Sequence, residues 1–391
     1  MSRKAGIALP AALVTAVTAV VLLVSASVFL STNRAVQGTE DVPRNTVPTT
    51  AQRASSGRWV GTWSASMAGT EPAPGQIRPG TSLRQVVHIS VGGTSVRIHL
   101  SNVFGDKPLT VSRATVALAA APGTADAAKG SMRPLTFRGK RSVTIPAGKS
   151  TVSDAVVLRV PAAADLLVTS YSPDPSGAVT WHRHARQTSF AAPGDHTADL
   201  PGTAFTERTT SWRHLSAVDV WTTEAQGAVV AFGDSITDGV RSTVDANRRW
   251  TDYLARRLRE TPGAPRLGVL NQGISGNRLL TDGTGPRAGN GQSGLTRMDR
   301  DVLSQTGVTA VVVALGINDI LRAPDGGDAE AIIEGLRTIT ERAHARGLRV
   351  IGATLAPFGG HSGHTPQREA VRLRVNAEIR SGTVFDAVVD F

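Results

Sequence analysis

Three short stretches carry side chains and turns able to do acyl chemistry. They are Gly233-Asp234-Ser235 within GDSITDG, Gly273 and Gly276 within NQGISGN, and Gly316 to Asp319 within GIND. Each ends or directly follows an apolar run, respectively AVVAF, GVLNQGI and AVVVALG. Together they offer a hydroxyl, a backbone N–H in a glycine turn and a side-chain amide. Acyl transfer needs that set: a nucleophile, and donors aimed at the oxyanion that develops. A single serine after a strand is usually a turn or N-cap residue. Three blocks in order, each at a strand end, make Ser235 a candidate nucleophile.

Those blocks sit in a regular frame. From residue 227 five apolar runs follow one another, the last two being RVIGATL (349–355) and AVVDF (387–391). Helical patterns lie between them. RRWTDYLARRL sets Trp250, Tyr253, Leu254 and Leu258 on one face, and AEAIIEGLRTITERAHARG repeats Ile332, Leu336, Ile339 and Ala343, with Gly347 as the expected C-cap. Strand alternating with helix predicts βαβ units and a parallel sheet covered on both faces. Ligands of such sheets bind at the carboxyl ends of the strands, where the three blocks lie.

Other readings of the motifs fit worse. GDSITDG is not a G-x-S-x-G elbow, because Thr237 stands where the second glycine belongs. GISGN lacks G-x-G-x-x-G spacing, and no lysine follows a glycine loop as phosphate binding requires. The blocks GDSITDG, NQGISGN and GIND resemble those of the SGNH hydrolases, also called GDSL esterases and lipases. The resemblance covers about residues 227–391 and implies a three-layer αβα, flavodoxin-like domain with a five-stranded parallel sheet. It implies that Ser235 is the nucleophile. The N–H groups of Ser235 and Gly276 and the Asn318 amide would form the oxyanion hole, with Asp234 and Asp319 orienting the turns. No metal and no organic cofactor is implied.

The family's last block is Asp-x-x-His, which supplies the general base and the carboxylate that orients it. No Asp-x-x-His occurs in the 391 residues, so the base His and its Asp are not present in this chain. The simplest account is a sequence that stops short of that block. Residues 1–391 are then expected to hydrolyse esters near background, and an extension carrying the block to restore turnover. His361 and His364 in GGHSGHT fall on the same rim but read as a polar loop. His182 and His184 in WHRHAR read as a surface feature of the first half.

That first half, 57–225, is a series of short β-rich runs such as TSVRIHLSN and DLLVTSYS, separated by Gly, Pro, Asp and Ser. It predicts an all-β sandwich or jelly-roll-like domain with no helix. Residues 31–56 read as a polar linker. Residues 1–30 read as a signal peptide or membrane anchor: Arg3 and Lys4 precede an uncharged run from Ala5 to Leu30. The chain is therefore expected to be secreted, or held outside the cytoplasm with membrane contact only through residues 5–30.

Composition narrows the partners. There is no cysteine, which removes disulfides, thiol catalysis and Cys-based metal sites. The net charge is +11, but the arginines are scattered among acids and aromatic residues make up only 4%, so no nucleic acid is expected. The expected partner is a small-molecule or polymer-bound ester, with polysaccharide contact by the β domain. The competing reading is a carbohydrate- or cell-surface-binding pseudoenzyme that lacks the base.

Overall fold

The computed structural model describes residues 57–72, 78, 80–173 and 177–391. The expected leader and linker over 1–56 lie outside the described residues.

Between Arg58 and Thr222 every strand pairing is antiparallel. One sheet runs Arg58–Ser64, Leu215–Thr222, Gly93–Ser101, Val156–Val160. Another runs Glu207–Thr209, Ser189–Pro193, Thr81–His88, Asp165–Ser172, Arg113–Leu118, Arg133–Pro134. Alternation along each strand sends Val96, Ile98 and Leu100 from the first, and Val87, Val116 and Leu166 from the second, into one buried cluster. The opposite face of Gly93–Ser101 is only partly open to solvent. Arg97 and His99 both reach Asp219 at 2.8 Å, and Thr306 Oγ1 donates to the same carboxylate at 2.8 Å.

From Gly227 the five apolar runs become five parallel strands: β1 (Gly227–Gly233), β2 (Leu267–Gly273), β3 (Val308–Ala314), β4 (Arg349–Ala353) and β5 (Ala387–Val389). Their order is β2-β1-β3-β4-β5. That is the flavodoxin-like order, and its switch point falls between β1 and β3. The helices are α1 (Ser235–Asp238), α2 (Trp250–Glu260), α3 (Gly294–Met298), α4 (Ile317–Arg322), α5 (Ala329–His344) and α6 (Pro366–Arg380). Leu254 and Leu258 of α2 pack under one face of the sheet, and Ile332, Leu336, Ile339 and Ala343 of α5 under the other.

Two details differ from expectation. Helix α5 ends at a C-cap of Ala345, and Gly347 takes its left-handed turn (φ 71°) two residues later. Helix α6 has no apolar stripe to betray it, because its buried positions include Arg372 and Asn376. Asn376 Oδ1 accepts from the Leu355 N–H at 2.7 Å, and Arg372 Nη1 donates to the Leu355 carbonyl at 2.9 Å. Polar side chains thus replace hydrophobic ones where α6 meets the end of β4.

The antiparallel region closes tightly on β2. Val60 joins the parallel-sheet core, the Gly61 N–H donates to the Thr306 carbonyl at 2.9 Å, and Gln272 Nε2 donates to Ser64 Oγ at 2.8 Å. A Cβ on Gly268 would stand 2.0 Å from the Gly61 carbonyl oxygen, so glycine is what permits this approach. Among the described residues no helix is long and apolar enough to cross a membrane. Gly268→Ala should lower stability by about 1–3 kcal/mol through this backbone clash. A urea midpoint unchanged from the parent chain would show that the two sheets do not close here as described.

Candidate active site

Ser235 is the first residue of α1, at the carboxyl end of β1, which lies between β2 and β3. Asp234 caps that helix, its Oδ1 accepting from the Ile236 N–H at 2.9 Å. The cap turns the chain sharply out of the sheet and leaves Ser235 half-buried at the rim, with Ile236 49% exposed beside it. The sheet order sets β3 next to β1, so Asn318 in α4 lies against the same turn. Asn318 Nδ2 donates to the Asn277 carbonyl at 3.0 Å and faces Asp234 Oδ2 at 3.4 Å. The second block is fastened to the third as well: both Asp319 oxygens accept backbone N–H groups, from Leu279 at 2.8 Å and from Leu280 at 2.9 Å. Gly276 takes φ 78°, a conformation that favours glycine, in the turn between them. The structure thus brings Asp234, Ser235, Gly276, Asn318 and Asp319 together.

Charge in this site is shaped by burial. Asp234 is buried, and loss of hydration pushes its carboxyl up to about 7, against the Ile236 hydrogen bond and Arg297 and with help from Asp319 and Asp238. Burial likewise raises Asp319.

Three residues that sequence reasoning did not assign hold the site in place. Arg297 is fully buried in α3 and lies over the Phe232 ring at 4.1 Å. Its Nη2 donates to the Gly233 carbonyl, Nη1 to the Gln272 carbonyl and to Ser66 Oγ, and Nε to Asn277 Oδ1, all within 2.9–3.0 Å. In the sequence, Arg297 and Asp301 form an ordinary i, i+4 pair of the kind usual on exposed helices. Arg322 Nε donates to Asn318 Oδ1 at 3.1 Å and fixes the amide from behind. Asp238 is the third: Oδ2 accepts from the Ser275 N–H at 2.8 Å, and Oδ1 lies 3.1 Å from His182 Nε2.

His182 is therefore not a surface residue of the β region. It is 4% exposed, and its Nδ1 lies 2.8 Å from the Ser66 carbonyl. Both ring nitrogens face acceptors, so the ring fits as the imidazolium. Burial opposes that charge, but Asp238 and the Ser66 carbonyl outweigh it and raise the pKa. Alternation along Thr180–His182 could not show that its outer face is covered. Behind α1, His182, Asp238, Arg249 and Trp63 line a cavity of about 130 Å³. His184, by contrast, is half-buried and accepts from Arg183 Nε at 2.9 Å. His361 and His364 are exposed and engage their own loop: His361 Nδ1 accepts from the Gly363 N–H, and His364 packs on Phe358. Among the described residues, no histidine hydrogen-bonds Ser235, and no group of three or more His, Asp or Glu is placed to hold a metal.

The model of the GDSL-like lipase/acylhydrolase family matches residues 231–391. These residues form a hydrolase domain of the SGNH/GDSL family. The match spans all three blocks, from β1 to β5. Solved structures similar to this GDSL-like domain include a mutant of the esterase AlinE4, at 21% identity over 42% of this chain and 76% of that one, with a TM-score of 0.33. A lipolytic protein of the G-D-S-L family from Desulfitobacterium hafniense DCB-2 shares 19% identity over 42% and 76%, with a TM-score of 0.30. The acetyl xylan esterase AlAXEase shares 20% over 42% and 76%, with a TM-score of 0.31. Among curated proteins none matches this chain.

The Asp234 carboxyl sets a pH dependence of stability. Its folded pKa of about 7 lies above the unfolded value of about 3.9. The native state then holds a proton that the unfolded state has lost. Its contribution is full below about pH 4, declines as pH rises toward 7, and is gone above that. Asp234→Asn should remove this slope, so that urea midpoints of parent and variant converge, or cross in favour of the variant, between pH 4 and pH 7. A constant difference across that range would contradict a buried, proton-holding Asp234.

Proposed function

We propose that this chain is an exported serine ester hydrolase acting on acyl or acetyl esters. The observation that carries the reading is the position of Ser235. It opens a helix at the carboxyl end of the interior strand β1, at the switch point, beside two turns that carry candidate donors. Ser235 Oγ would attack the ester carbonyl carbon. The oxyanion of the tetrahedral intermediate would be met by the Ser235 and Gly276 N–H groups and by Asn318 Nδ2; its collapse would expel the alcohol and leave acyl-Ser235, which water then hydrolyses to the acid and free Ser235. Arg322 holds Asn318 Oδ1, while Nδ2 rests on the Asn277 carbonyl and Asp234 Oδ2, so an oxyanion would take over one of those N–H groups. Asp234 and Asp319 serve the turns: one caps α1, the other binds the block-two backbone. The Ser235 proton needs a base, for which the family uses the His of an Asp-x-x-His block.

Arg3, Lys4 and the apolar run that follows support export, either secreted or anchored outside the cytoplasm. The antiparallel region is proposed to contact the polymer that carries the ester. One observation favours a second reading, a binding protein without turnover: among the described residues no histidine hydrogen-bonds Ser235, His182 being engaged with Asp238 and His184 with Arg183.

In the chain extended by an Asp-x-x-His block, a fluorophosphonate probe should modify Ser235, as mapped by peptide mass spectrometry, and Ser235→Ala should abolish the modification. In that extended chain, removing one oxyanion donor with Asn318→Ala should lower kcat on short acyl esters on the order of 10²–10³. Modification that survives Ser235→Ala, or ester turnover indifferent to Asn318→Ala, would sink the esterase reading.

A further inference from the structure

The rim around Ser235 is cationic, and its charge is uncompensated. Arg322 is forked by two amides: Asn318 Oδ1 accepts from Nε at 3.1 Å, and Asn290 Oδ1 accepts from Nη1 at 2.6 Å when the Asn290 amide donates to the Ser275 carbonyl at 3.2 Å. Nη2 is left without a partner among the described residues. It lies 2.5 Å from where a Gly276 Cβ would stand, so the guanidinium packs directly on the Gly276 turn. Two further arginines lie on or beside the neighbouring 3-10 turn, whose Asn290 contacts Arg322. Arg287 is exposed in the 3-10 turn Gly285–Asn290, and Arg183 Nη1 comes from the β region to within 3.8 Å of a Gly289 Cβ position.

Among the described residues no carboxylate lies within 4.0 Å of Arg183, Arg287 or Arg322. Elsewhere in the domain arginines such as Arg337, Arg372 and Arg380 find carboxylates at 2.6–2.7 Å, whereas these three gather on one side of the site without one. The cations also oppose one another. Burial first, then Arg287 and Arg278, hold the Arg322 pKa below its ordinary value. Asp234, the nearest carboxyl in charge range, holds its proton up to about pH 7 and offsets little. Like charges gathered without counter-ions at a rim favour an anion brought from outside. A guanidinium held by two amides, with one N–H₂ group free, is preorganised to bind an oxyanion group.

Resting on the esterase reading, we propose that this site selects esters that carry an anionic oxyanion group, such as a carboxylate or phosphate, near the scissile bond. Arg322 is the fixed anchor beside the oxyanion turn. Arg287 and Arg183 are the outer, screened cations that draw the charged substrate in, and Arg183 makes the β region part of the specificity surface.

The test is binding to the Ser235→Ala chain, which requires no turnover. Two matched esters serve as probes, 4-nitrophenyl hemiglutarate and the neutral 4-nitrophenyl valerate. The hemiglutarate should bind more tightly, and the advantage should shrink as salt is raised. Arg287→Gln combined with Arg183→Gln should cut the advantage by about two- to fivefold, the scale of exposed charge pairs. Arg322→Gln should cut it by about tenfold or more, with Arg322→Lys recovering part. Displacement by glutarate against inorganic phosphate, at fixed ionic strength, tells which oxyanion fits. Equal or tighter binding of the valerate ester, or an advantage indifferent to all three arginines, would overturn the proposal. Failure of the esterase reading shows separately, as absence of the Ser235 adduct in the parent chain extended by an Asp-x-x-His block.

Discussion

The Arg297 guanidinium, fully buried between the two sheet systems, is the constraint on which the site depends. A buried cation is costly unless every donor finds an acceptor. Here its donors reach the Gly233 carbonyl at the end of β1, the Gln272 carbonyl at the end of β2, Asn277 Oδ1, Ser66 Oγ of the β region, and Asp301 at 3.0 Å. Burial lowers its pKa to about 10, with Asp301 pulling the other way, so it stays charged at neutral pH. The two strands that present Ser235 and the Gly276 turn are thus held to one rigid, planar fork. The same fork holds the β region, because Ser66 Oγ also donates to Asp301.

From Arg297 the restraint passes outward through side-chain amides. Asn277 receives Arg297 on its side chain and gives its carbonyl to Asn318, and Asn318 is backed by Arg322. Such a connected network costs reorganisation once, on folding, and not again when charge develops on a substrate. The His182–Asp238 contact fastens the outer side of α1 in the same manner, with Asp238 also holding the Ser275 N–H of the second block. The β region is thereby built into the walls of the site, through Ser66 and His182, and not merely attached beside it.

The strands and the three blocks were legible because their signals are local. AVVAF, GVLNQGI and AVVVALG carry buried parallel-strand composition, and glycines mark the turns after them. Ser235, Gly276 and Asn318 could be assigned to one rim because strand ends in this sheet type converge. Helix α6 was not legible, since its buried side includes Arg372 and Asn376 and so shows no stripe. Arg297 and Arg322 were hidden for a related reason: an arginine in a helix reads as surface until its acceptors, which come from segments far away in the chain, are known. His182 was misread because alternation tells which face a side chain takes but not what covers that face.

The central claim is that the Arg297 fork, and not the local GDS turn alone, sets the reactive geometry of Ser235. It is tested most directly, in the chain extended by an Asp-x-x-His block, by the rate at which a fluorophosphonate modifies Ser235 in folded Arg297→Lys protein. Lysine keeps the charge beside Asp301 but cannot span the Gly233, Gln272 and Asn277 acceptors together. The account predicts a rate lower on the order of 10², the scale of an ångström's misplacement of a reacting group, with circular dichroism showing the sheet retained. A rate equal to that of the parent chain would contradict it.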